Sequence, residues 1–529
     1  MPPFLMIAAM ISKIIGLLYK SPLSSIVGNM GMGYISLAQN AYMILLMIAS
    51  FSIPQAVSKL ISERIALRDY KNAQKIFRGS MIYAAVVGGA VALFCLFGAR
   101  FIIPRNQPNA VLALQILSPT IFLSGILGVY RGYFQAYRNM LPTSVSQILE
   151  QIFNAIVSLL AAWLFIKNLS DGTPEQVAKW GAAGSTVGTT AGVVTALLFM
   201  MMVYGMNRKG IRARVKSDRR HREKSYGDIL KLIMLIVSPI ILSAFIYNVN
   251  GYLNGVLYSE ILGTQGADAD KLSMMYAEYA TYFMSIINIP LTLSSAAPTS
   301  MIPEVSALYA TGAVKETRRK IDQTVQLSMF ISVPCAVGLA VLAQPIVSLL
   351  FGGTNGTAGK LLMLGSFTIL LNGMSNISNG VLQGNWKDQK IPMITAAVAL
   401  VVDVVAVVLL LLFTDLGIYS LLVAMIIYAV VVCILNDRAM KKYLRYKNPW
   451  RFAYLNPILA SIPMGAVAGL VYYGLYKLIQ SNVICLCLSI ALGGATYFIV
   501  YILMEKPSRE RLRRMPGGAV LVKIFGRMF

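Results

Sequence analysis

Charged residues, histidine and cysteine are all scarce in this chain. Only 13% of its 529 residues are charged, about half the ~25% that is usual in soluble proteins. Such a chain has too little polar surface to form a water-soluble globule. The single histidine, His221, excludes metal binding or acid–base catalysis by histidine clusters. All five cysteines lie in apolar segments, where cysteine is a small core residue, so we expect no metal site.

Long apolar runs are what the chain has in abundance, and 57% of its residues are hydrophobic. A run of about 20 apolar residues spans a bilayer as a helix, and irregular backbone cannot face lipid. The first run lacks a cleavage site, so we interpret it as a permanent span. We therefore predict an all-α polytopic membrane protein with about 14 transmembrane helices. The predicted spans are 4–20, 34–61, 79–103, 109–130, 145–166, 180–204, 229–260, 273–300, 322–351, 361–385, 391–413, 416–436, 452–476 and 483–504.

The basic residues alternate between the two sides of these spans. With a cytoplasmic amino terminus, 35 of the 46 Lys and Arg residues lie in inward loops and the tail, and 8 lie outside. This bias predicts that both termini are cytoplasmic. It also explains the net charge of +25 without nucleic acid as a partner. The basic linker 206–226 is interpreted as an orientation signal that lies on anionic headgroups of the bilayer, or else as a protein-docking segment, and the basic tail 505–529 is predicted to be cytoplasmic.

An internal repeat predicts two lobes. Ile53-Pro54-Gln55 matches Ala297-Pro298-Thr299 at an offset of 244, and Tyr133–Ala136 matches Val381–Gly384 at an offset of 248. Each match joins positions six spans apart, so the chain contains duplicated six-helix halves. The predicted domains are an amino-terminal lobe 1–205, the linker 206–226, a carboxyl-terminal lobe 227–446, two further helices in 447–504 and the tail 505–529.

Several motifs resemble the multidrug/oligosaccharidyl-lipid/polysaccharide (MOP) flippase superfamily, in its stage V sporulation protein B-like and lipid II flippase branch. The motifs are Ser12-Lys13-Ile14-Ile15-Gly16, Ile53–Glu63, Arg131–Gln135, Asn139–Thr143, Ser146–Gln151, Leu382-Gln383-Gly384 and Leu416–Tyr419. The resemblance runs from about residue 4 to residue 504. It implies two six-helix lobes in a V, open alternately to each side, plus two extra carboxyl-terminal helices.

The resemblance also implies a transporter and not an enzyme. The expected activity is alternating-access transfer of an undecaprenyl-diphosphate-linked sugar, with lipid II of peptidoglycan synthesis as the first candidate, to the outer leaflet of a bacterial plasma membrane. The alternatives are export of another lipid-linked polysaccharide unit, or cation-coupled multidrug antiport. The expected partner is the lipid-linked oligosaccharide, and we expect a monomer.

Basic residues of the amino-terminal spans are the candidates for binding the diphosphate, because an unpaired anion is costly in low dielectric. Lys13 lies near the middle of span one, where a lysine predicts a functional site or a structural ion pair. Lys20 is interpreted as an exit contact. Lys59 and Arg131, at inner span ends, are interpreted either as the inner mouth of the path or as interfacial anchors. Lys59 can also pair with Glu63 at i, i+4.

Asp403 is the most informative acidic residue, since span eleven contains no basic residue to neutralise it. Span seven carries Asn250 and Asn254 on one face, and these asparagines are its predicted partners. A carboxylate with amide oxygens suits Na⁺ or a proton as a coupling ion in the second lobe. The alternative is a protonated Asp403 that makes a structural hydrogen bond. No other cofactor is expected.

Overall fold

A computed structural model describes residues 3–218, 225–310, 313–352, 356–384, 390–446 and 451–505, and these residues are helical apart from short connections. Part of the predicted basic linker (219–224) and nearly all of the predicted tail (506–529) lie outside the described residues. The helices are α1 Pro3–Leu18, α2 Lys20–Leu46, α3 Ile53–Ala66, α4 Tyr70–Ile102, α5 Ala110–Ala136, α6 Leu141–Leu169, α7 Pro174–Met206, α8 Arg208–Ser217, α9 Tyr226–Thr264, α10 Ala269–Ala277, α11 Met284–Ala310, α12 Val314–Val341, α13 Ala343–Phe351, α14 Thr357–Gly365, α15 Thr368–Gly384, α16 Lys390–Phe413, α17 Tyr419–Leu444, α18 Asn456–Ile479 and α19 Asn482–Glu505.

The predicted all-α polytopic membrane fold is confirmed. Every predicted span coincides with one helix or with consecutive helices. Among the described residues, ten helices are long and apolar enough to cross a membrane, and a pair bent by 47°, Thr357–Gly365 with Thr368–Leu382, makes up to eleven. The count of fourteen stays a prediction.

The first span is longer than the sequence predicted. The helical hydrogen bonding continues through Tyr19, whose amide donates to Ile15 and whose carbonyl accepts from Leu23. The break comes at Gly28, with φ 70° and ψ 173°, a conformation that glycine adopts without strain. The helix therefore continues about two turns beyond the predicted end at residue 20, and the role of Lys20 as an exit contact stays a prediction.

The second span contains an irregular turn next to a proline. The residues Met47–Phe51 form a π-helical turn, and α3 follows with Pro54 in its first turn. A proline has no amide hydrogen to donate, and a π-helical turn is a common way to accommodate such a break. This span is therefore locally widened near its middle.

Helices α6 and α7 pack with almost no space between their backbones. Gly184, Gly188 and Gly192 form one stripe of α7 at intervals of four residues. A Cβ atom at any of them would come within 3.0 Å of backbone atoms of α6. Such a G-x-x-x-G stripe allows membrane helices to approach closely when no hydrophobic effect drives them together.

The repeated tetrapeptides occupy equivalent places in the fold. Ala136 is the last residue of α5, and Gly384 is the last residue of α15. The next helix after each, α6 or α16, carries Pro142 or Pro392 in its first turn, where a proline costs no hydrogen bond. The same pattern of helix end and helix start therefore occurs at both repeats.

The chain packs as two compact units. One comprises Met1–Thr281 with Asp403–Leu421, and the other comprises Tyr282–Val402 with Leu422–Phe529. These units differ from the predicted lobes, because α9, α10 and the second half of α16 pack with the amino-terminal helices. The lobe boundaries at 205 and 446 stay a prediction.

The second unit has its own core and polar network. Met329 and Val333 of α12 pack with Ile377 of α15 in its apolar core. Asn436 of α17 is fully buried. It donates to Asn379 at 2.8 Å and accepts from Thr395 at 2.9 Å. These bonds tie α15, the first half of α16 and α17 together inside an apolar environment.

The glycine stripe gives a direct test of the packing. Gly188→Ala should destabilise the protein by about 1–3 kcal/mol, because the added methyl group overpacks the contact with Ser158. Gly205→Ala, in the same helix with nothing within 4 Å of the new atom, is the control and should leave the protein as stable or slightly more stable. Thermal unfolding in detergent measures both, and equal melting temperatures would show that the stripe carries no packing constraint.

Candidate functional site

Helix α1 has two unlike faces. At 100° per residue, Ile11, Ile14 and Leu18 form one stripe, and these side chains are 39%, 44% and 55% exposed. Lys13 and Gly16, with Lys20 just beyond the end of α1, lie on the opposite face, and Gly16 lies close to Gln151 of α6. Lys13 is exposed and Lys20 is half-buried. The predicted cations therefore lie on the face that also approaches α6, away from the exposed apolar stripe.

Arg131 of α5 has an acidic partner on α6. Its Nη2 lies 2.7 Å from Glu150 Oε2, and the two side chains are 15% and 24% exposed. Its Nε donates to Ser146 Oγ at 3.0 Å. A partly buried pair of this kind is sensitive to the loss of either member. The role of Arg131 as a cargo contact stays a prediction. In the structure, Glu150 neutralises the charge of Arg131.

The ion pair that the sequence suggested between Lys59 and Glu63 is wrong. Both side chains are exposed on α3, and the structure contains no ion pair between them, because an exposed pair gains little from a fixed geometry. The neighbouring Arg64 instead pairs with Asp69 at 3.6 Å. The Lys59 side chain thus extends from the surface of α3, as either an anchor or a contact at the inner mouth would require.

A buried polar cluster surrounds the Arg131–Glu150 pair, and the sequence analysis did not include it among the site residues. Tyr42 of α2 lies near Glu150. Tyr19, between α1 and α2, lies beside Asn154 of α6, and Asn154 accepts a hydrogen bond from Ser158 at 2.9 Å. The available signal was the row of polar residues Glu150 and Asn154 at i, i+4 within an otherwise apolar span.

Asp403 lies beside the asparagines that the sequence predicted as its partners. Its carboxylate is fully buried and lies beside the amides of Asn250 and Asn254 of α9. Both carboxylate oxygens of Asp403 and the amide oxygens of Asn250 and Asn254 are buried without a hydrogen-bond donor in the structure. Oxygen ligands are those that a small hard cation prefers, and the role of Asp403, Asn250 and Asn254 in ion coupling stays a prediction.

The Asp403 site lies between α9 and the second half of α16. Farther along the same two helices, Gln265 Nε2 donates to the carbonyl of Leu411 at 3.2 Å. Both helices pack with the amino-terminal helices in one unit, whereas the sequence assigned the site to the second lobe. The described residues contain no group of three His, Cys, Asp or Glu side chains that could hold a metal ion.

The first part of the basic linker is the short helix α8, and it forms a cationic cavity. The cavity has a volume of about 910 Å³ and is lined by α4 and α8, with Arg78, Arg208, Lys209, Arg212 and Lys216 among its residues. Because α8 follows α7, the cavity lies on the inward side in the predicted topology. The contact of the linker with anionic headgroups stays a prediction.

The helices define a polytopic membrane protein, and comparison with known proteins shows its class. Residues 4–309 match the family model for polysaccharide biosynthesis proteins. This match covers more than half of the chain, so the chain belongs to that family, within the MOP superfamily that its motifs resemble. The predicted class of transporter, and not enzyme, is confirmed.

Two similar proteins of Bacillus subtilis support this family assignment. The chain is 25% identical over 410 residues to the lipid II flippase MurJ of Bacillus subtilis (strain 168), covering 75% of this chain and 74% of that protein. It is 20% identical over 520 residues to stage V sporulation protein B of the same organism, covering 97% and 96%.

Solved structures show the same fold. A lipid II flippase MurJ in an inward closed conformation superposes with a TM-score of 0.66 at 15% identity, covering 94% of this chain and 98% of that one. An inward-facing multidrug resistance MATE family transporter of the MOP superfamily gives 0.58 at 17% identity, covering 83% and 94%. The fold is therefore that of MOP transporters.

The Arg131–Glu150 pair can be tested with a double-mutant cycle. We expect Arg131→Gln and Glu150→Gln each to destabilise the protein by about 1–3 kcal/mol, because each leaves a partly buried charge unpaired. The double variant should lose less than the sum of the two. The exposed pair Asp437–Lys441, with side chains 40% and 59% exposed, is the control and should couple by about 0.5 kcal/mol or less. Thermal unfolding of all variants measures both couplings, and equal values would contradict a special role for the α5–α6 pair.

Proposed function

We propose that this protein moves an undecaprenyl-diphosphate-linked sugar, with lipid II as the first candidate, from the inner to the outer leaflet. The observation that carries the proposal is the cationic face of α1, where Lys13 and Lys20 lie opposite an exposed apolar stripe. A diphosphate that crosses the bilayer needs fixed positive charge along its route. The similarity to a lipid II flippase over three quarters of the chain supports the same cargo class.

The other candidate residues fit successive positions on that route. Lys59 is exposed on α3, near the inward end of the second span. Arg131 forms an ion pair with Glu150. Arg131 therefore either shapes the electrostatic environment of the route, or leaves Glu150 and binds a cargo phosphate instead. Transfer by alternating access requires cargo to bind two conformations with different affinity. Both termini are cytoplasmic in this proposal.

Two alternatives predict different cargo. A second lipid-linked polysaccharide unit shares the diphosphate and would use the same cations. A cationic drug would instead need acidic residues on the route, but Lys13, Lys20 and Lys59 carry positive charge, and the acid Glu150 is paired with Arg131. The charges of the amino-terminal helices thus favour an anionic cargo over multidrug antiport.

The same physical reasoning assigns the inner basic cavity and the Asp403 site. The cations of α8 bind anionic headgroups of the inner leaflet, which attract basic segments next to a membrane. Asp403 with Asn250 and Asn254 binds Na⁺ or a proton, because four buried oxygens lack a donor. An ion that moves inward releases about 2.3 kcal/mol per 100 mV, which is enough to bias a conformational equilibrium. The protein acts as a monomer in this proposal.

Complementation tests the cargo and the role of Lys13 together. In a bacterium depleted of its lipid II flippase, the wild-type protein should restore growth. Lys13→Ala should not, because the diphosphate loses its fixed counter-charge in low dielectric, while Lys13→Arg should restore growth in part. Lys477→Ala, which removes an exposed lysine in α18, is the control. Full complementation by Lys13→Ala, at matched protein levels, would show that Lys13 is not on the route.

Asp403→Asn tests the ion site. The variant keeps the shape of the side chain but loses its charge, so saturable ²²Na⁺ binding or proton-dependent transport should disappear while the protein stays folded. Asp415→Asn, at an exposed acid near the end of the same helix, is the control and should behave as wild type. A variant at Asp403 with an unchanged transport rate and unchanged ion dependence would leave only a structural role for this carboxyl group.

A further inference from the structure

The first unit has a second cationic cavity, which lies at the opposite end of its helices from α8. It has a volume of about 610 Å³ and lies between the end of α4, the start of α5 and the start of α7. Arg100, Arg105 and Lys179 line it together with Gln115 and Trp180. In the predicted topology this end faces outward.

The three cations have no acidic partner in the structure. Among the described residues, no carboxylate forms an ion pair with the side chains of Arg100, Arg105 or Lys179. Two acids contact this loop through other groups: Glu260 accepts a hydrogen bond from the backbone amide of Arg105 at 2.6 Å, and Glu175 accepts one from Asn109 Nδ2 at 2.7 Å. Gln115 is also engaged, because its Nε2 donates to the carbonyl of Leu96 at 3.1 Å. Like charges that share a cavity repel each other, so this arrangement is stabilised by an anion.

The loop that carries Arg105 is held in place by its neighbours. Asn106 Nδ2 donates to the carbonyl of Ser259 at 2.6 Å, and Gln107 Nε2 donates to the carbonyl of Ala269 at 2.7 Å. Together with the bond to Glu260, three consecutive residues of the loop are fixed. The cavity is therefore formed before any ligand arrives, which lowers the cost of binding.

The inward bias of basic residues does not explain this cluster. Cations on the inner side are accounted for by the orientation of the chain, as those around α8 are. In the predicted topology only 8 of the 46 Lys and Arg residues lie on the outward side. Three of these eight line this one cavity. A grouping of scarce outward cations points to a ligand.

The surroundings of the cavity indicate the class of anion. Phe97 and Phe101, which flank Arg100 in α4, are 77% and 93% exposed, so this helix end meets lipid. Trp180, beside Lys179, is typical of the level of the headgroups. The cavity therefore lies where acyl chains give way to phosphates, and a guanidinium group binds phosphate in a bidentate manner.

We propose that this cavity binds the phosphate of an anionic phospholipid headgroup in the outer leaflet. Arg100 and Arg105 hold the phosphate oxygens, Lys179 adds charge, and the acyl chains lie along the exposed aromatic side chains of α4. The bound lipid anchors the α4–α5 connection, and the site is independent of the cargo route through α1.

The test compares the full-length protein with two triple variants of equal charge. The variant Arg100→Gln/Arg105→Gln/Lys179→Gln removes the cavity cations. The matched control, Lys167→Gln/Lys360→Gln/Lys477→Gln, removes three outward lysines that do not line the cavity. Native mass spectrometry with added phosphatidylglycerol should show one bound lipid fewer for the cavity variant only. In the same samples, phosphatidylglycerol should slow amide exchange of residues 103–110 about tenfold in the wild type and control, and not in the cavity variant.

Equal lipid retention by the wild type and the cavity variant would overturn the proposal, and so would equal loss in both triple variants. Slowing of the same amides by inorganic phosphate without lipid would assign the site to a free anion and overturn the lipid source. Helix content and gel filtration confirm folding, and the single variant Arg105→Gln provides the same comparison if the triple variant does not fold. Arg105→Lys should keep most of the binding.

Discussion

The lipid bilayer offers no hydrogen bonds to polar groups buried in it, and most features of this protein follow from that constraint. The backbone satisfies it by forming helices throughout the described residues. Side chains satisfy it in local networks, such as Asn436 with its neighbours in the second unit and Arg131 with Glu150 in the first. The glycine stripe of α7 allows α6, which carries Glu150, to pack closely against α7.

Against this background, two features point to function: buried oxygens without a donor, and a cation placed inside a span. Asp403, Asn250 and Asn254 leave four buried oxygens without a donor, which is costly unless an ion or proton completes the site. Lys13 brings a positive charge into the first span, on the face opposite its exposed apolar stripe. The proposed transport of an anionic headgroup driven by a cation needs one charge of each kind at two separate places, which Lys13 and Asp403 provide.

Much of the fold could be predicted because span length and loop charge are local properties of the sequence. The end of the first span was missed because Lys20 was taken as a boundary, whereas the helix continues past it to Gly28. The pairing of Asp403 with the α9 asparagines was predictable, since span eleven contains no basic residue. The partners of Arg131 and Asn154, and the outward cavity around Arg105, depend on which helices pack together, and the sequence did not reveal that. The stripe Gly184, Gly188 and Gly192 is a G-x-x-x-G-x-x-x-G pattern in the sequence, and no prediction was made from it.

We propose that fixed positive charge in the amino-terminal helices moves a lipid-linked diphosphate sugar between leaflets. The most direct test is transfer in proteoliposomes of two labelled lipids with the same sugar and the same polyprenyl chain, one joined through a diphosphate and one through a neutral ether. The account predicts that the purified protein transfers the diphosphate lipid across the bilayer and leaves the neutral lipid at the protein-free rate. Equal transfer of both lipids, or transfer of neither under any imposed ion gradient, would contradict it.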